Sequence, residues 1–352
     1  MSDRLKIVFV NMPQDSWGAG AWQALEPDAP KGMGGTEFAT MMAAIAAARL
    51  GFDVAHVGRS GTADQRLGVR WVPFDQAGPV LFQGALAWLA CFPHSLPAKQ
   101  WGAARVLLWQ HWNDYNYCPP GWHRLVDCHG VATETHRAHC AKAAGVPEDR
   151  FVVSGFGVEQ AWLAPRPWPE RQNLIVYGSS PDRGLHHLLE VYPKIHRLTR
   201  AELVVAYALD RWFAAAADPR RWDHQLAQRV NAQLQALRDG GFPVRLTGHL
   251  GHREFLRLLG TARVLAYPCD PVSHTESFGL VVAEALASGC HVVLTDADSF
   301  PEQYGHRMRL VDRRAAGWEA DFQGRVIEAL RTEEAPAAVP IRTWDDHVGD
   351  TL

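Results

Sequence analysis

The sequence predicts an α/β protein with two Rossmann-like domains, each built on a doubly wound parallel sheet. Strand-like and helix-like segments alternate through the first half of the chain, and this alternation favours parallel strands with helices on both faces. The alternation starts again at NLIVYGS, residues 173–179. Between the two series lies AWLAPRPWPERQ, residues 161–172, whose prolines and tryptophans are typical of an interdomain connection. At 352 residues, 47% of them hydrophobic, the chain is long enough for two cores.

The elements follow in order from hydrophobic runs bounded by turn residues. A helix is predicted at 36–50, where an alanine-rich stretch follows two glycines, and helices are predicted again at 185–196 and 225–238. Strands are predicted at 6–11, 52–58, 70–74, 79–83, 104–111, 130–135 and 151–157, and then at 173–179, 201–208, 243–248, 263–268 and 291–296. We place the boundary near Pro165, which gives domains at 1–165 and 166–340. Residues 341–352 form a short terminal segment that returns toward the first domain.

Charge and composition exclude several classes of protein. The net charge of −3 and the lack of a basic block argue against nucleic acid as a partner. The start, MSDRLKIVFV, contains one short hydrophobic run and no signal-type cleavage region, so we expect a cytoplasmic protein. The uncharged stretch 76–98 is interrupted by prolines and a glycine, which favours a strand and a helix in a core over a membrane span.

Two glutamates in HTESFGLVVAEALASG, residues 274–289, are the strongest candidates for a binding site. Residues 278–288 predict an almost uniformly apolar helix, so the charge of Glu284 needs a partner, and a polar ligand is a natural one. The turn from Glu276 to Leu280 opens this helix, whose first N–H groups and dipole favour a phosphate. The alternative is that Glu276 is a solvated loop residue and that Glu284 pairs with an arginine.

The surrounding pattern closely resembles the donor site of family 4 glycosyltransferases. Glu276 and Glu284 are followed by an alanine-rich helix, a glycine, the strand HVVLTD and, in SFPEQ, an acidic residue after a proline. The resemblance implies a GT-B fold, in which two Rossmann-like domains face a central cleft, with the acceptor side in the first domain and the donor site in the second. It also implies a retaining, hexosyltransferase-type enzyme. Such an enzyme moves a sugar from a nucleotide-sugar, with UDP or GDP as the expected nucleotide, to a hydroxyl of a saccharide or glycoconjugate in surface polysaccharide synthesis.

The resemblance also implies roles for individual residues of the second domain. Glu284 would bind the ribose hydroxyls, and Glu276 would contact the hydroxyls of the transferred sugar. Backbone N–H groups of Phe278, Gly279 and Leu280 would bind the donor. The remaining donor-binding positions are Ser179 and Ser180, His249 and Leu250 beside the base, and Arg183 as the diphosphate-binding cation, although the family's first arginine has no counterpart here.

In the first domain, the resemblance points to a glycine loop and to one histidine. Gly34 and Gly35 precede the predicted helix, and Glu37 lies in its first turn, where the helix start attracts phosphate. A Gly-Gly turn before a helix is common and is weak evidence by itself. His111 ends a predicted strand and would contact the donor sugar with a catalytic role beside Glu276 and Arg183. A lone histidine in this position is equally consistent with a hydrogen-bonded structural residue.

No metal or other cofactor is expected. The six cysteines lack paired C-x-x-C spacing, and the Cys and His residues between 118 and 140 fit no standard zinc spacing. Asp296-Ala-Asp298 has the D-x-D spacing of metal-dependent GT-A enzymes, but it comes after the Glu284 helix and is interpreted as a strand-end loop.

Three alternatives stay open at this point. The chain could be a non-catalytic GT-B subunit that binds nucleotide-sugar or glycan, as the missing arginine and short tail suggest, or, less well supported, a nucleotide-sugar epimerase. A peripheral contact with the inner face of the membrane through Trp88, Leu89 and Phe92 is a second interpretation of the stretch 76–98.

Overall fold

The computed structural model describes residues 4–11, 22–26, 29, 33–58, 63–90, 97–111, 121–271 and 275–352. The chain divides into two compact units. Unit 1 consists of Met1–Glu159 with Arg342–Leu352, and unit 2 is Gln160–Ile341. The division falls six residues before the boundary indicated by the sequence at Pro165.

Unit 1 is built on an eight-stranded sheet in the order β3-β4-β2-β1-β5-β6-β7-β8, as far as the structure describes it. All neighbouring strands are parallel except β3 and β4, which form an antiparallel edge pair. The strands are β1 Lys6–Val10, β2 Asp53–Gly58, β3 Asp64–Arg66, β4 Val69–Pro73, β5 Leu86–Ala90, β6 Arg105–Trp109, β7 Cys128–Val131 and β8 Phe151–Val153.

The helices of unit 1 cover the faces of this sheet. The α-helices are α1 Gly35–Arg49, α2 Pro79–Phe82, α3 Pro97–Gln100 and α4 Glu134–Ala144, with α12 Trp344–Thr351 from the end of the chain. Short 3-10 helices span Trp22–Leu25, Phe74–Gln76, Trp122–Leu125 and Glu148–Arg150. Nearly every residue of α1 from Glu37 to Ala47 is buried, because its small alanine side chains let neighbouring elements approach on all sides.

One predicted strand of unit 1 is wrong. Of the residues 79–83, Pro79–Phe82 form α2 and not a strand, because Pro79 takes the first helical position, where its missing N–H is not needed. The strand lies at β5 instead, where an uncharged run is almost fully buried. Val80 on α2 is 87% exposed, which fits a surface helix and not a central strand.

The interpretation of a membrane contact through Trp88 and Leu89 is wrong as well. Trp88 and Leu89 lie in β5 at the centre of the sheet, and neither is exposed, so they have no surface to offer a lipid. Phe92 lies outside the described residues. Within the described part of the chain, every helix is too short or too polar to cross a bilayer.

Unit 2 contains a five-stranded parallel sheet in the order β11-β10-β9-β12-β13. Its strands are β9 Gln172–Tyr177, β10 Glu202–Val205, β11 Val244–Leu246, β12 Ala262–Tyr267 and β13 His291–Leu294. Its α-helices are α5 Leu185–Thr199, α6 Leu209–Ala215, α7 His224–Asp239, α8 His252–Thr261, α9 Leu280–Ala287, α10 Phe300–Tyr304 and α11 Trp318–Arg331, and 3-10 helices span Gln160–Trp162, Trp168–Glu170 and Pro181–Arg183. Two α/β units with parallel sheets confirm the predicted fold class.

The last helix, α12, packs against α1 within unit 1. The Thr343 hydroxyl accepts the Asp346 N–H, and the Asp346 carboxylate accepts the Thr343 N–H, which together form a capping box. Trp344 and Val348 are fully buried, and Arg49 of α1 donates to Asp345 at 2.9 Å. The short terminal segment is therefore an integral part of this unit's core.

Candidate functional site

The candidate site of unit 2 lies at the carboxyl ends of three neighbouring strands, β9, β12 and β13. The carboxyl ends of parallel strands meet at one edge of a sheet, and ligands of α/β proteins bind at this edge. The chain leaves β9 into residues 178–183, β12 into the segment that leads to Glu276, and β13 into residues 295–299. Hydrogen bonds join these three segments, although they are far apart in sequence.

Glu276 is at the centre of this network and is only 5% exposed. Its carboxylate forms an ion pair with Arg183 and accepts a hydrogen bond of 2.9 Å from the Tyr267 hydroxyl. The Tyr267 hydroxyl also lies 2.8 Å from the hydroxyl of Ser179. Burial raises the pKa of Glu276, although Arg183 and Tyr267 act in the opposite direction. Burial also disfavours the charge on Arg183, yet the Glu276 carboxylate raises the pKa of this guanidinium well above its ordinary value, so Arg183 stays charged.

The backbone of Glu276 is held from the loop after β13. The Asp298 carboxylate accepts the N–H of Thr275 at 2.9 Å and that of Glu276 at 3.0 Å. The Ser299 hydroxyl donates to the Glu276 carbonyl at 2.6 Å. Both polar groups of the Glu276 peptide backbone are thus bonded to the same short loop.

Helix α9 begins directly after this segment, and Gly279 is its N-cap. Gly279 has a φ of +76°, and a Cβ here would lie 2.6 Å from the Phe300 ring, so only glycine fits without strain. The Tyr304 hydroxyl lies 3.1 Å from the carbonyls of both Phe278 and Gly279, which fixes the entry to the helix. The first-turn N–H groups of a helix have no partner within it, so they and the positive end of the dipole are suited to an anion.

Glu284, in the second turn of α9, is 3% exposed and lies 2.7 Å from Nε2 of His252. The partner within the protein is thus a histidine, and the alternative in which Glu284 pairs with an arginine is wrong. His252 is the first residue of α8 and follows His249 and Leu250, both half-buried. The structure therefore brings the segment predicted to lie beside the base next to the glutamate predicted to bind ribose.

The loop after β9 places the other predicted phosphate-binding residues. Ser179 is buried and Ser180 half-buried, and the Ser180 hydroxyl donates to the carboxylate of Asp182. Arg183 ends the adjoining 3-10 helix with 29% of its side chain exposed, and it contacts Glu276 there. Its position at the sheet edge agrees with the prediction, but its charge is balanced by a carboxylate of the protein.

The two carboxylates of the D-x-D sequence have separate structural partners. Asp298 bonds the backbone before α9, whereas Asp296 accepts the backbone N–H of Arg313 at 3.0 Å. No cluster of three His, Cys, Asp or Glu side chains suited to a metal ion occurs among the described residues. Cys118 lies outside those residues.

In unit 1, the glycine loop lies at the start of α1, and His111 follows the end of β6. Glu37 is buried in the first turn of α1, and a Cβ on Gly34 would lie 2.1 Å from its Oε2, whereas a Cβ on Gly35 would meet nothing within 4 Å. The His111 ring packs against Trp109, with centroids 4.5 Å apart. Burial lowers the pKa of His111 to about 3, with further lowering by two neighbouring histidines, so the ring is neutral at physiological pH.

Sequence reasoning missed three side chains that hold this site together: His252, Ser299 and Tyr304. It noticed Asp298 as part of the D-x-D sequence but not its bonds to the backbone of Glu276. Tyr267 was noticed only as part of the strand that leads to Glu276. The position of Tyr267 at the end of β12 could have identified it, because strand-end residues gather at the ligand-binding edge. The others contact the site only through the three-dimensional packing of α8, α10 and the loop after β13.

Comparison with known proteins agrees with this architecture. Residues 171–330 match the protein family described as Glycosyl transferases group 1. AviGT4, a glycosyltransferase involved in avilamycin A biosynthesis, is similar with a TM-score of 0.64 and 20% identity, over 98% of this chain and 95% of that one. Anabaena Alr3699/HepE in complex with UDP and glucose has a TM-score of 0.61 and 14% identity, over 93% and 90%. An α,α-trehalose-phosphate synthase (UDP-forming) from Burkholderia vietnamiensis has a TM-score of 0.58 and 15% identity, over 94% and 92%.

No curated protein sequence matches the chain significantly. The structural neighbours are GT-B glycosyltransferases, so the chain has the GT-B fold. The family match covers most of unit 2 and supports sugar transfer as the class of function.

Proposed function

We propose that this chain is a retaining family 4 glycosyltransferase that moves a sugar from a UDP- or GDP-sugar to a hydroxyl of a saccharide or glycoconjugate acceptor. One observation carries the proposal. The buried carboxylates of Glu276 and Glu284 lie just before and within the apolar helix α9, at the ligand-binding edge of the unit 2 sheet, and Arg183 contacts the first of them. Two buried carboxylates and a cation beside a helix N-terminus suit a ligand that combines hydroxyl groups with a diphosphate.

In this proposal the protein works mainly by stabilising the leaving nucleotide. Arg183 and the N–H groups at the start of α9 would neutralise charge that develops on the diphosphate as the glycosidic bond breaks. The departing phosphate would take the proton of the acceptor hydroxyl on the same face of the sugar, which retains the anomeric configuration. Because a cation and a helix N-terminus supply the positive charge, the proposed reaction needs no metal ion.

The carboxylates would recognise hydroxyl groups. A sugar hydroxyl can donate to Glu276 on the side away from the Tyr267 hydroxyl, since an ionised carboxylate accepts several hydrogen bonds. Ribose hydroxyls can donate to Glu284 while His252 keeps its contact. Ser179, Ser180, His249, Leu250 and the backbone of residues 278–280 complete the proposed donor site.

The contribution of unit 1 rests on the family resemblance. Gly34 and Gly35 would face the diphosphate, with Glu37 in the adjoining turn. His111 would contact the sugar as a neutral hydrogen-bonding group, because its lowered pKa excludes a stable imidazolium at neutral pH. Cytoplasmic location and a role in polysaccharide synthesis are proposed on the same ground.

Ligand-dependent thermal stabilisation tests the donor site. The protein is melted with UDP, GDP, ADP, UDP-glucose, UDP-N-acetylglucosamine, GDP-mannose and ADP-glucose, each with and without EDTA. UDP and UDP-glucose come first, because one structural neighbour holds UDP and glucose. A ligand at about a hundred times its Kd adds roughly 2.7 kcal/mol to the free energy of unfolding, so a clear shift in Tm is expected.

Glu284→Gln and Glu254→Gln are compared in the same assay. Both substitutions remove one negative charge, but Glu254 is an exposed residue of α8, so only Glu284→Gln should abolish the shift. Transfer itself is measured as acceptor-dependent nucleotide release, with the anomeric configuration of the product read by NMR. Donor binding without nucleotide release would favour the non-catalytic subunit. Isomerisation of the donor sugar without an acceptor would favour the epimerase. The absence of thermal stabilisation by every nucleotide tested would reject the proposal.

A further inference from the structure

The loop after β13 holds Glu276 through its backbone, independently of any ligand. Asp298 uses a single carboxylate oxygen, Oδ2, to accept two N–H groups, at 2.9 Å from Thr275 and 3.0 Å from Glu276. Ser299 donates its hydroxyl to the carbonyl of Glu276 at 2.6 Å, and its backbone N–H lies 3.3 Å from the same oxygen. The peptide groups on both sides of the Glu276 Cα are therefore fixed.

The conformation of Asp298 indicates that this arrangement opposes local backbone preference. Asp298 has a φ of +46°, a left-handed conformation that is unfavourable for residues with a Cβ, although Asp and Asn tolerate it better than most. Glycine would adopt this conformation without strain but has no carboxylate. The local conformational penalty is offset by the two hydrogen bonds to the segment that carries Glu276.

The side chain of Glu276 is oriented separately. The Tyr267 hydroxyl donates to Oε2 at 2.9 Å, while Arg183 contacts Oε1. Tyr267 is 1% exposed at the end of β12, and its ring packs against those of Tyr177 and Phe300, so its hydroxyl has little freedom to move. Tyr267 thus fixes the orientation of the Glu276 carboxylate, and the hydrogen bonds to the Glu276 backbone fix the position from which the side chain extends.

We propose that Asp298, Ser299 and Tyr267 are positioning residues that aim the Glu276 carboxylate at the transferred sugar. The proposal rests on the proposed function, in which Glu276 contacts sugar hydroxyls. In this proposal Asp298, the second aspartate of the D-x-D sequence, binds the backbone of Glu276 and not a metal ion. A displacement of a reacting or binding group by about 1 Å can reduce a rate about a hundredfold, so precise aim has a measurable effect.

The central test compares Asp298→Gly with Asp298→Asn. Glycine keeps the left-handed backbone and removes the acceptor, whereas asparagine keeps an acceptor oxygen and tolerates the conformation. Asp298→Gly should lower kcat by about tenfold to a hundredfold. It should also weaken binding of the best sugar nucleotide of the panel without weakening binding of its bare nucleoside diphosphate, because the sugar is the part of the donor that contacts Glu276. Asp298→Asn should restore both quantities to near the wild-type values.

Asp296→Asn is the matched control for charge. Asp296 lies two residues earlier on the same loop and bonds Arg313, not Glu276. Its substitution should leave the ratio of the two affinities unchanged. Amide hydrogen exchange of residues 275–276 gives a readout that needs no ligand, and it should accelerate in Asp298→Gly and not in Asp296→Asn.

Tyr267→Phe tests the orientation of the carboxylate through pH. The Tyr267 hydrogen bond lowers the pKa of Glu276, so its loss should move the acid limb of the kcat/KM profile to higher pH. Tyr192→Phe removes another buried hydroxyl of unit 2, one that donates to backbone carbonyls, and should leave the acid limb in place.

The outcomes separate this inference from the proposed function. If the wild type binds no nucleotide-sugar, both fail. If the wild type binds and reacts, three results would each reject the positioning role. Asp298→Gly could keep wild-type affinities and kcat, or Asp298→Asn could be impaired as much as Asp298→Gly. The third is a loss of nucleoside diphosphate binding in Asp298→Gly that parallels its loss of sugar nucleotide binding. Recovery of activity in both aspartate variants by added Mg²⁺ or Mn²⁺ would reject it in favour of a metal site.

Discussion

Unit 1 should lose stability steeply in mild acid, because several of its histidines are buried in the neutral form. Burial lowers the pKa of His56, His111 and His347 from 6.5 to about 3, and that of His129 to about 4. The Asn11 amide N–H donates to the His56 ring at 3.1 Å. Protonation of this ring nitrogen would replace the hydrogen bond by an unfavourable contact between two donors. His347 packs on Trp109 with ring centroids 4.4 Å apart, and its Nδ1 lies 3.3 Å from the Ser154 carbonyl.

The direction and size of the effect follow from these pKa values. Between pH 6.5 and the lowered pKa, the unfolded chain binds a proton on each ring that the folded chain does not bind, so acidification favours unfolding. From pH 7 to pH 5 each histidine removes about 2 kcal/mol from the free energy of unfolding. Four such residues give an upper limit of about 8 kcal/mol, which is comparable to the total stability of a domain. In unit 2, burial lowers the pKa of His186 to about 4.

Hydrogen exchange measured by mass spectrometry at pH 7, 6 and 5, corrected for the intrinsic exchange rate, resolves the two units. Peptides from β1, β2, β5 and β6 should lose protection far more than peptides from β9, β10 and β12. His347→Phe keeps an aromatic ring beside Trp109 and should reduce the pH dependence of unit 1 by about 2 kcal/mol. His123→Gln alters an exposed histidine and should leave it unchanged. Equal protection of unit 1 at pH 7 and pH 5, or an unaltered pH dependence in His347→Phe, would refute the reasoning.

Three further predictions concern single substitutions. Arg171→Met should destabilise unit 2 by about 3 kcal/mol in urea unfolding, because the buried guanidinium donates to the carbonyls of Ala262 and Ser288 and its loss leaves these unsatisfied. Gly279→Ala should destabilise the same unit by about 2–4 kcal/mol, since it combines a left-handed backbone with a clash against Phe300. Thr343→Ala should remove about 1 kcal/mol by breaking the capping box of α12, and exchange in 344–351 should accelerate while unit 2 is unaffected.

The sequence was sufficient for the fold because the parallel strands of both sheets are continuous hydrophobic runs. The β13 strand lies within its predicted range, as do β1, β2, β6, β8, β10 and β11, and β12 begins one residue before its own. Burial on both faces requires this hydrophobic composition. The failure at residues 79–83 has the same origin, because PVLFQ is as apolar as a strand. Two features distinguish it from a strand. Its first residue, Pro79, suits a helix start, and the uncharged run that forms β5 follows three residues later.

The candidate site could be predicted from the sequence only where its functional residues lie close together along the chain. Glu276, Glu284 and the glycine that begins α9 lie within nine residues of one another, so a single motif identifies them. Asp298 lies 22 residues from Glu276, and its role depends on one side-chain oxygen that reaches two N–H groups across a loop. The D-x-D spacing singles out Asp298 in the sequence. Its hydrogen bonds to the backbone of a distant segment, however, produce no recognisable sequence pattern.

The ion pair between Arg183 and Glu276 joins residues 93 positions apart, and it changes how the charges of the site are understood. From sequence, a buried glutamate needs a partner, and a polar ligand is a natural one. In the structure, Glu276 is satisfied by Arg183 and Tyr267, and Glu284 is satisfied by His252. Donor binding in the proposed function is therefore an exchange of partners, because a diphosphate must compete with Glu276 for the arginine. Such an exchange yields little net electrostatic energy, since breaking a buried ion pair is itself unfavourable. Affinity should then depend more on the N–H groups and the dipole at the start of α9 than on the arginine, and sugar specificity should depend on how firmly Glu276 is held.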